Sequence, residues 1–433
     1  MINKLVKIKN STFVQNTIIL ASGTMVAQVI ALLSSPIITR IYGPEIFGLM
    51  GVFLAINQIF IPVSSLTYPI SIVLPKDYRN AKKLAFLSIM VSVLLSLIVA
   101  LIILFLGDYI VELFKIQQIT QFLFLIPIVI VFSGFSQVAT QWLVRTKEFA
   151  INAKVSVYQS ILINGGKVGI GLLYPTAAVL IILTALANGV RAIMLFLFMQ
   201  LKRQSNSSKY ENTDEKQLTI GELAKKYKDF PLYRAPEVFI NSISQRFPVL
   251  MLTSFFGPAI AGFYTLGNTV LQQPIRLIGD SVGNVFYPRI TEASHKKESL
   301  TKLILKATVA LSLIGIIPFG IIIFLGPCLF SAVFGDEWVT AGKYAQWIGV
   351  FLFCEFINKP AVKSLPVLSA QLFQLLFTII TFIVRICALA IGYFVFKNDL
   401  FAISLFSISS AILHIVFILI VIGKSKSFDK KHL

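Results

Sequence analysis

The sequence predicts an all-α polytopic membrane protein of about 12 transmembrane helices, in two parallel six-helix lobes around a central cavity. Three observations predict it: an apolar composition, apolar windows of spanning length along most of the chain, and a Gly-Pro motif repeated at half the chain length. Mean hydropathy is +0.84 and only 13% of the 433 residues are charged, too little polar surface for a soluble chain of this size. The longest polar stretch, residues 201–229, falls well short of the ~50 residues of a small domain. That excludes a separate soluble catalytic domain. Cys328, Cys354 and Cys387 form no spaced motif, and His295, His414 and His432 stand far apart, so neither a disulfide framework nor a metal site is expected.

A span takes roughly 20 apolar residues, and windows of that kind fall at 14–38, 46–74, 84–106, 119–142, 155–174, 177–200, 230–255, 261–288, 303–325, 343–362, 372–395 and 400–422. The first follows a basic tail, but its apolar run exceeds a signal-peptide core and lacks a cleavage site, so it is read as an uncleaved helix. It carries Thr17, Thr24, Gln28 and Ser35 within about 40° at ~100° per residue. In the second, Gln58, Pro62, Ser65 and Pro69 share a face. The seventh is crowded with Arg234, Glu237, Asn241, Gln245 and Arg246, and the eighth sets Asn268, Gln272, Arg276, Gly279, Gly283 and Tyr287 within roughly 100°. Helices one, two, seven and eight are therefore the polar ones. Pro62, Pro69, Pro236, Pro248, Pro274 and Pro318 bend the spans that hold them. The tenth window carries Glu355 and runs into Lys359-Pro360.

The formal net charge of +19 follows the membrane pattern rather than that of a nucleic-acid binder. Lys and Arg concentrate in the N-terminal tail, 75–83, 143–154, 201–229, 289–302, 359–363 and the C-terminal tail, while only Arg40, Lys115, Lys343 and Lys397 fall on the other side. The positive-inside rule then places both termini in the cytoplasm.

Self-similarity supplies the architecture. Ile41-Tyr-Gly-Pro-Glu-Ile-Phe-Gly-Leu-Met50 aligns with Phe255-Phe-Gly-Pro-Ala-Ile-Ala-Gly-Phe-Tyr264, so that Gly43, Pro44, Ile46 and Gly48 match Gly257, Pro258, Ile260 and Gly262 at an offset of 214, and Gln58 matches Gln272. Each copy sits between the first and second windows of its half, on the same side, so the halves are parallel repeats. We divide them at 1–212 and 213–433, with a cytoplasmic linker at about 201–229, and expect the substrate site in the cleft between lobes.

Charges inside the windows carry the chemistry. Arg234 has Glu237 three residues on, and Arg276 has Asp280 four on, spacings that allow pairing along one helix. Lys306 lies near a helix end and can snorkel. Lys167, Arg191, Arg246 and Arg385 have no acidic residue within four positions. Each costs at least ~2.5–3.5 kcal/mol at the centre of an isolated helix, so such residues face water or a partner. Glu237, Asp280 and Glu355 could neutralise some of them, but three partly engaged acids cannot neutralise four cations. Collectively they predict a cationic chamber and an anionic substrate.

Arg40-Ile-Tyr-Gly-Pro-Glu-Ile-Phe-Gly48 resembles the first-loop signature of the bacterial polysaccharide-repeat (O-antigen or capsule) flippases. So does the block Phe230-Pro-Leu-Tyr…Asn241…Gln245-Arg-Phe-Pro248…Phe256-Gly-Pro…Gly262-Phe-Tyr…Pro274-Ile-Arg-Leu-Ile-Gly-Asp280…Val285-Phe-Tyr-Pro-Arg289. These flippases belong to the multidrug/oligosaccharidyl-lipid/polysaccharide exporter superfamily. The resemblance implies two six-helix lobes, helices one, two, seven and eight around a cavity, and alternating access. It also implies a lipopolysaccharide- or capsule-type substrate, an undecaprenyl-pyrophosphate-linked oligosaccharide moved from the inner to the outer leaflet of the bacterial inner membrane.

Candidate substrate-binding residues are Lys167, Arg191, Arg246, Arg276, Arg385, Gln28, Gln58, Asn241, Gln245 and Gln272. Glu237, Asp280 and Glu355 are candidate carriers of a coupling proton or sodium ion. No cofactor or metal is expected; the partners are the lipid-linked oligosaccharide, membrane lipids, and a glycan polymerase or other assembly proteins. A cation-coupled drug exporter of the same superfamily is the alternative, but the resemblance for that branch implies a membrane acid in the first lobe, and its windows hold none. A major-facilitator transporter would carry a Gly-rich Asp-Arg motif where Pro75-Lys-Asp-Tyr-Arg-Asn-Ala-Lys-Lys83 stands. A membrane enzyme would need clustered acids or histidines, for which Asp108 with Glu112 is a thin offer.

Overall fold

The computed structural model describes residues 12–203, 217–368 and 370–432, and leaves out the side chains of 12–21, 202, 203, 274, 280, 281, 284, 431 and 432. The basic N-terminal tail, most of the linker, the Thr17 side chain and the Asp280 carboxyl therefore lie outside the described residues.

The described chain is helical, without strands: α1 (Thr12–Phe60), α2 (Tyr78–Phe114), α3 (Leu125–Arg145), α4 (Phe149–Gly171), α5 (Ala177–Arg203), α6 (Ile220–Lys226), α7 (Ala235–Phe256), α8 (Pro258–Pro274), α9 (Asp280–His295), α10 (Leu300–Phe334), α11 (Val339–Ser364), α12 (Gln371–Phe394) and α13 (Asp399–His432). Each predicted window lies on this helical framework. Seven described segments are long and apolar enough to cross a membrane: Ser22–Val73, Tyr78–Phe114, Leu125–Arg145, Ala177–Leu201, Leu300–Phe334, Gln371–Phe394 and Asp399–Lys430. The windows at 155–174, 230–255, 261–288 and 343–362 are helical but more polar. They are the ones carrying Lys167, Arg234 to Arg246, Arg276 and Glu355.

The repeated motif adopts one backbone conformation twice. Gly43 sits at φ 67°, ψ 173° inside α1, and Gly257 sits at φ 94°, ψ 170° ahead of α8. Both are conformations open to glycine and strained for other residues. Pro44 and Pro258 follow, fixing φ for a fresh helical turn. The two predicted windows 14–38 and 46–74 are thus two helices that meet at the non-helical Gly43 within the α1 range, and the second window ends in 3₁₀ turns at Ile61–Val63 and Tyr68–Val73. The window at 261–288 is likewise divided, by a π turn at Ile275–Gly279 between α8 and α9.

The chain divides into two compact units, Met1–Tyr42 with Leu49–Arg246, and Gly43–Gly48 with Phe247–Leu433. In the first unit α3 packs against α2, α5 and the 3₁₀ segment after α1. Ser92 and Ser96 of α2 donate to the carbonyls of Ile130 (3.1 Å) and Pro127 (2.7 Å) on α3. The described end of the linker is a seated helix. Thr219 and Glu222 close a capping box on α6, which satisfies two of its orphan donors. Leu223 is buried among Tyr68, Ile72, Leu84 and Leu87. Lys83 and Asn80 of α2 grip the carbonyl and amide of Leu218, at 2.7 and 3.1 Å.

In the second unit α11 packs against α8, α10 and α13, and its burial inside protein explains how it tolerates polar residues. Residues 43–48 sit close against 258–262: a Cβ on Gly48 would fall 1.8 Å from the Pro258 carbonyl oxygen, and one on Gly262 would fall 2.1 Å from that of Pro44. The contact is reciprocal between the two copies of the motif. The first turn of α10 is held by Asp429, whose carboxylate accepts from the amides of Leu300 (2.9 Å) and Thr301 (3.1 Å) and from the Ser299 hydroxyl (2.8 Å).

Candidate functional site

Asn152, Ser156 and Gln159 follow the i, i+4, i+7 spacing that places residues on one face of a helix. On α4 they all point at Arg191 of α5. The Arg191 guanidinium donates to Asn152 Oδ1 (2.6 Å), Ser156 Oγ (3.1 Å) and Gln159 Oε1 (3.3 Å), and Asn152 and Ser156 are buried. All three acceptors are neutral. They fix the orientation of the cation without cancelling its charge, and an uncompensated charge out of water costs several kcal/mol.

Arg191 lines a cavity of about 210 Å³ together with Asn188 and a polar stripe on α3, Ser133, Ser136, Gln137, Thr140 and Gln141. Gln137 Nε2 donates to the Ile61 carbonyl (2.6 Å) and to Ser64 Oγ (3.0 Å), tying the stripe to the 3₁₀ turn that follows α1. The Ser133 hydroxyl is buried without a hydrogen-bond partner. A guanidinium flanked by hydroxyl and amide groups is chemistry suited to an anionic oxygen, because charge-assisted hydrogen bonds to it are short and strong. Among the described residues no group of His, Cys, Asp and Glu could hold a metal ion.

Two other cations of the windows behave differently. Lys167 on α4 is half-buried; its Nζ lies 4.0 Å from Met50 Sδ, and Tyr42 donates to its carbonyl at 2.8 Å. It meets no carboxylate among the described residues, and it lies outside the Arg191 cavity. Arg385 is buried in the second unit at 9% exposure. Its guanidinium lies over the rings of Phe351 and Phe406, 5.6 and 5.5 Å from their centroids. Its Nε donates to Ser410 Oγ at 3.1 Å, with Glu355 as the carboxylate acting on it. That is a packed cation, held by cation–π contacts.

With this geometry in view, the chain matches the family described as polysaccharide biosynthesis protein over residues 37–343. It belongs to that family. Among curated proteins it is similar to the amylovoran biosynthesis protein AmsL of Erwinia amylovora, 24% identical over 114 residues, a match spanning 26% of this chain and 29% of that protein. Its fold is that of a multidrug resistance MATE family transporter of the MOP superfamily in an inward-facing conformation, with TM-score 0.75, 14% identity, and coverage of 96% of this chain and 99% of that one. The lipid II flippase MurJ in an inward closed conformation is similar at TM-score 0.74 and 14% identity, with 94% and 87% covered. The two-lobed, all-helical membrane fold expected of this family member is the one those neighbours share.

The remaining candidate residues lie elsewhere. Glu237 pairs with Arg234 at 2.9 Å, both about half exposed, as their spacing predicts. Gln245 donates to Asn241 at 3.3 Å on an exposed surface. Gln28, Gln58 and Gln272 are half-buried, and the Gln28 side-chain oxygen is buried without a partner. Arg246 is half-buried and already engaged. Arg276 is exposed on the π turn, and Glu355 is half-buried. None of these lines the Arg191 cavity. Sequence reasoning missed the stripe at 133, 136, 137, 140 and 141 and the acceptors on α4. Their helical periodicity was the available signal, masked by the apolar residues between them.

Proposed function

We propose that this chain is a flippase that carries an anionic lipid-linked oligosaccharide, an undecaprenyl-pyrophosphate-linked repeat unit, from the inner to the outer leaflet by alternating access. One observation carries the reading: in a polysaccharide-biosynthesis family member, Arg191 faces a polar cavity and its partners among the described residues are neutral. In this reading Arg191 takes the pyrophosphate, the α3 stripe takes sugar hydroxyls, and Lys167 supplies a second positive charge. The chain works in the bacterial inner membrane with both termini cytoplasmic, as its basic loops favour, beside a glycan polymerase or other assembly proteins. A coupling proton or sodium ion would be carried by Glu237, Asp280 or Glu355. Export of negative charge across an inside-negative membrane is itself favourable by ~2.3 kcal/mol per charge per 100 mV.

The similarity to a multidrug resistance transporter supports a second reading, cation-coupled export of small-molecule drugs. The two separate on binding. A hydrogen bond to a charged group contributes about 1.5–3 kcal/mol, so Arg191→Ala should weaken binding of a polyprenyl-pyrophosphate oligosaccharide to nanodisc-embedded protein by roughly 10- to 150-fold. Arg191→Lys should recover part of the loss. Unchanged affinity in Arg191→Ala, or tight binding of a cationic dye in its place, would sink the anion reading.

A further inference from the structure

A second, larger cavity in the first unit has chemistry unlike that of the Arg191 site. It encloses about 470 Å³ between α2, α3 and α5, within the usual range for a small-molecule site. Its walls are apolar: Ile89 of α2, Phe135, Val138 and Ala139 of α3, and Phe196 of α5 line it. Phe135 and Phe196 are 41% and 60% exposed, so the groove opens sideways, where a bilayer would lie.

Its mouth is polar and aromatic. Tyr78 and Trp142 meet edge to face there, with ring centroids 5.3 Å apart, and amphipathic rings of this kind concentrate at membrane–water interfaces. Lys82 and Glu148 also line the mouth, the pair of charges that a zwitterionic phospholipid headgroup presents in complement. Lys82 is exposed and has no carboxylate partner among the described residues. The mouth lies where α2 begins and where α3 and α5 end, at the end bearing Lys76, Arg79, Lys83, Arg145 and Lys147.

We infer that this groove holds a glycerophospholipid of the surrounding membrane, with an acyl chain between α2, α3 and α5 and its phosphate on the Lys82 ammonium. An apolar slot of single-chain size, an interfacial aromatic pair at its lip and an unpaired cation at headgroup depth are the three features such a lipid needs. A polyprenyl carrier is less well served, since its chain is several times longer than the groove can enclose. The site is separate from the Arg191 cavity: on α3 the two are lined by different residues, 135, 138, 139 and 142 here against 133, 136, 137, 140 and 141 there.

Native mass spectrometry of the full chain, released from nanodiscs of mixed phosphatidylethanolamine and phosphatidylglycerol, tests this. Wild type should retain a phospholipid mass increment under activation that strips loosely bound lipid. Ala139→Trp, which fills the groove, should lose it. Lys82→Glu, a surface change that leaves packing intact, should lower retention severalfold. Equal retention in wild type and Lys82→Glu would overturn the proposal, as would a wild type that retains no lipid or retains a polyprenyl phosphate instead. Because neither variant touches Arg191, pyrophosphate-oligosaccharide binding is a separate readout.

Discussion

Alanine at Gly48 places a methyl group where the other copy of the motif already has backbone. The new Cβ would lie 1.8 Å from the Pro258 carbonyl oxygen and 2.7 Å from its carbon. Relief to even 3.0 Å requires the segments to part by more than 1 Å, and a carbonyl cannot rotate away as a side chain could. Gly262→Ala meets the same obstacle from the other side, 2.1 Å from the Pro44 oxygen. Overpacking costs typically 1–3 kcal/mol, and close approach at small residues is what holds many membrane helix pairs together. Both variants should therefore sit near 3 kcal/mol of destabilisation. Because they damage one crossing, the double variant should lose less than the sum of the two. Thermal unfolding of detergent-solubilised protein, followed by tryptophan fluorescence, reads this directly. Gly165→Ala is the control: nothing lies within 4 Å of its added Cβ, and Ala in a helix gains roughly 0.5–1 kcal/mol over Gly. A Gly48→Ala protein as stable as wild type would refute the reciprocal contact.

Asp429→Ala should cost about 1–2 kcal/mol, since it removes the acceptor for the Leu300 and Thr301 amides; the same melt measures it, and Asp429→Asn should recover part. Gly257→Ala should destabilise even though nothing lies within 4 Å of its Cβ, because φ is 94° there; unfolding at the wild-type temperature would contradict the strain. At the end of α9, hydrogen bonding from Lys296 and then its charge hold the Glu292 carboxyl below its usual range. Its contribution is present above the ordinary glutamate range and is lost as pH falls through the lowered value. Melts between pH 7 and pH 3 should lose this increment in wild type and lack it in Glu292→Gln.

Much of the fold was legible because membrane solvation leaves few choices: backbone groups must be satisfied within helices, and apolar windows mark where. The repeat marked Gly43 and Gly257 as equivalent positions and the proline after each fixes its own φ, but the positive φ of the two glycines is a structural finding, since glycine accepts either sign. The site was less legible. Arg191 stood out as a cation without an acid nearby, but its real partners are Asn152, Ser156 and Gln159, some 30–40 positions away, and sequence spacing describes only neighbours on one helix. Arg385 looked the same in sequence and proved to be packed against Phe351 and Phe406, a distinction that depends on tertiary contacts alone. The stripe on α3 was hidden because its serines and glutamines are interleaved with Phe135, Val138 and Trp142 on the opposite face.

The most direct test is translocation itself. Purified protein in liposomes, given a fluorescent undecaprenyl-pyrophosphate oligosaccharide in one leaflet, should move the labelled headgroup to the other, and Arg191→Ala should slow that movement by about the factor lost in binding. Wild-type protein that leaves this lipid in place while moving a cationic dye would contradict the account.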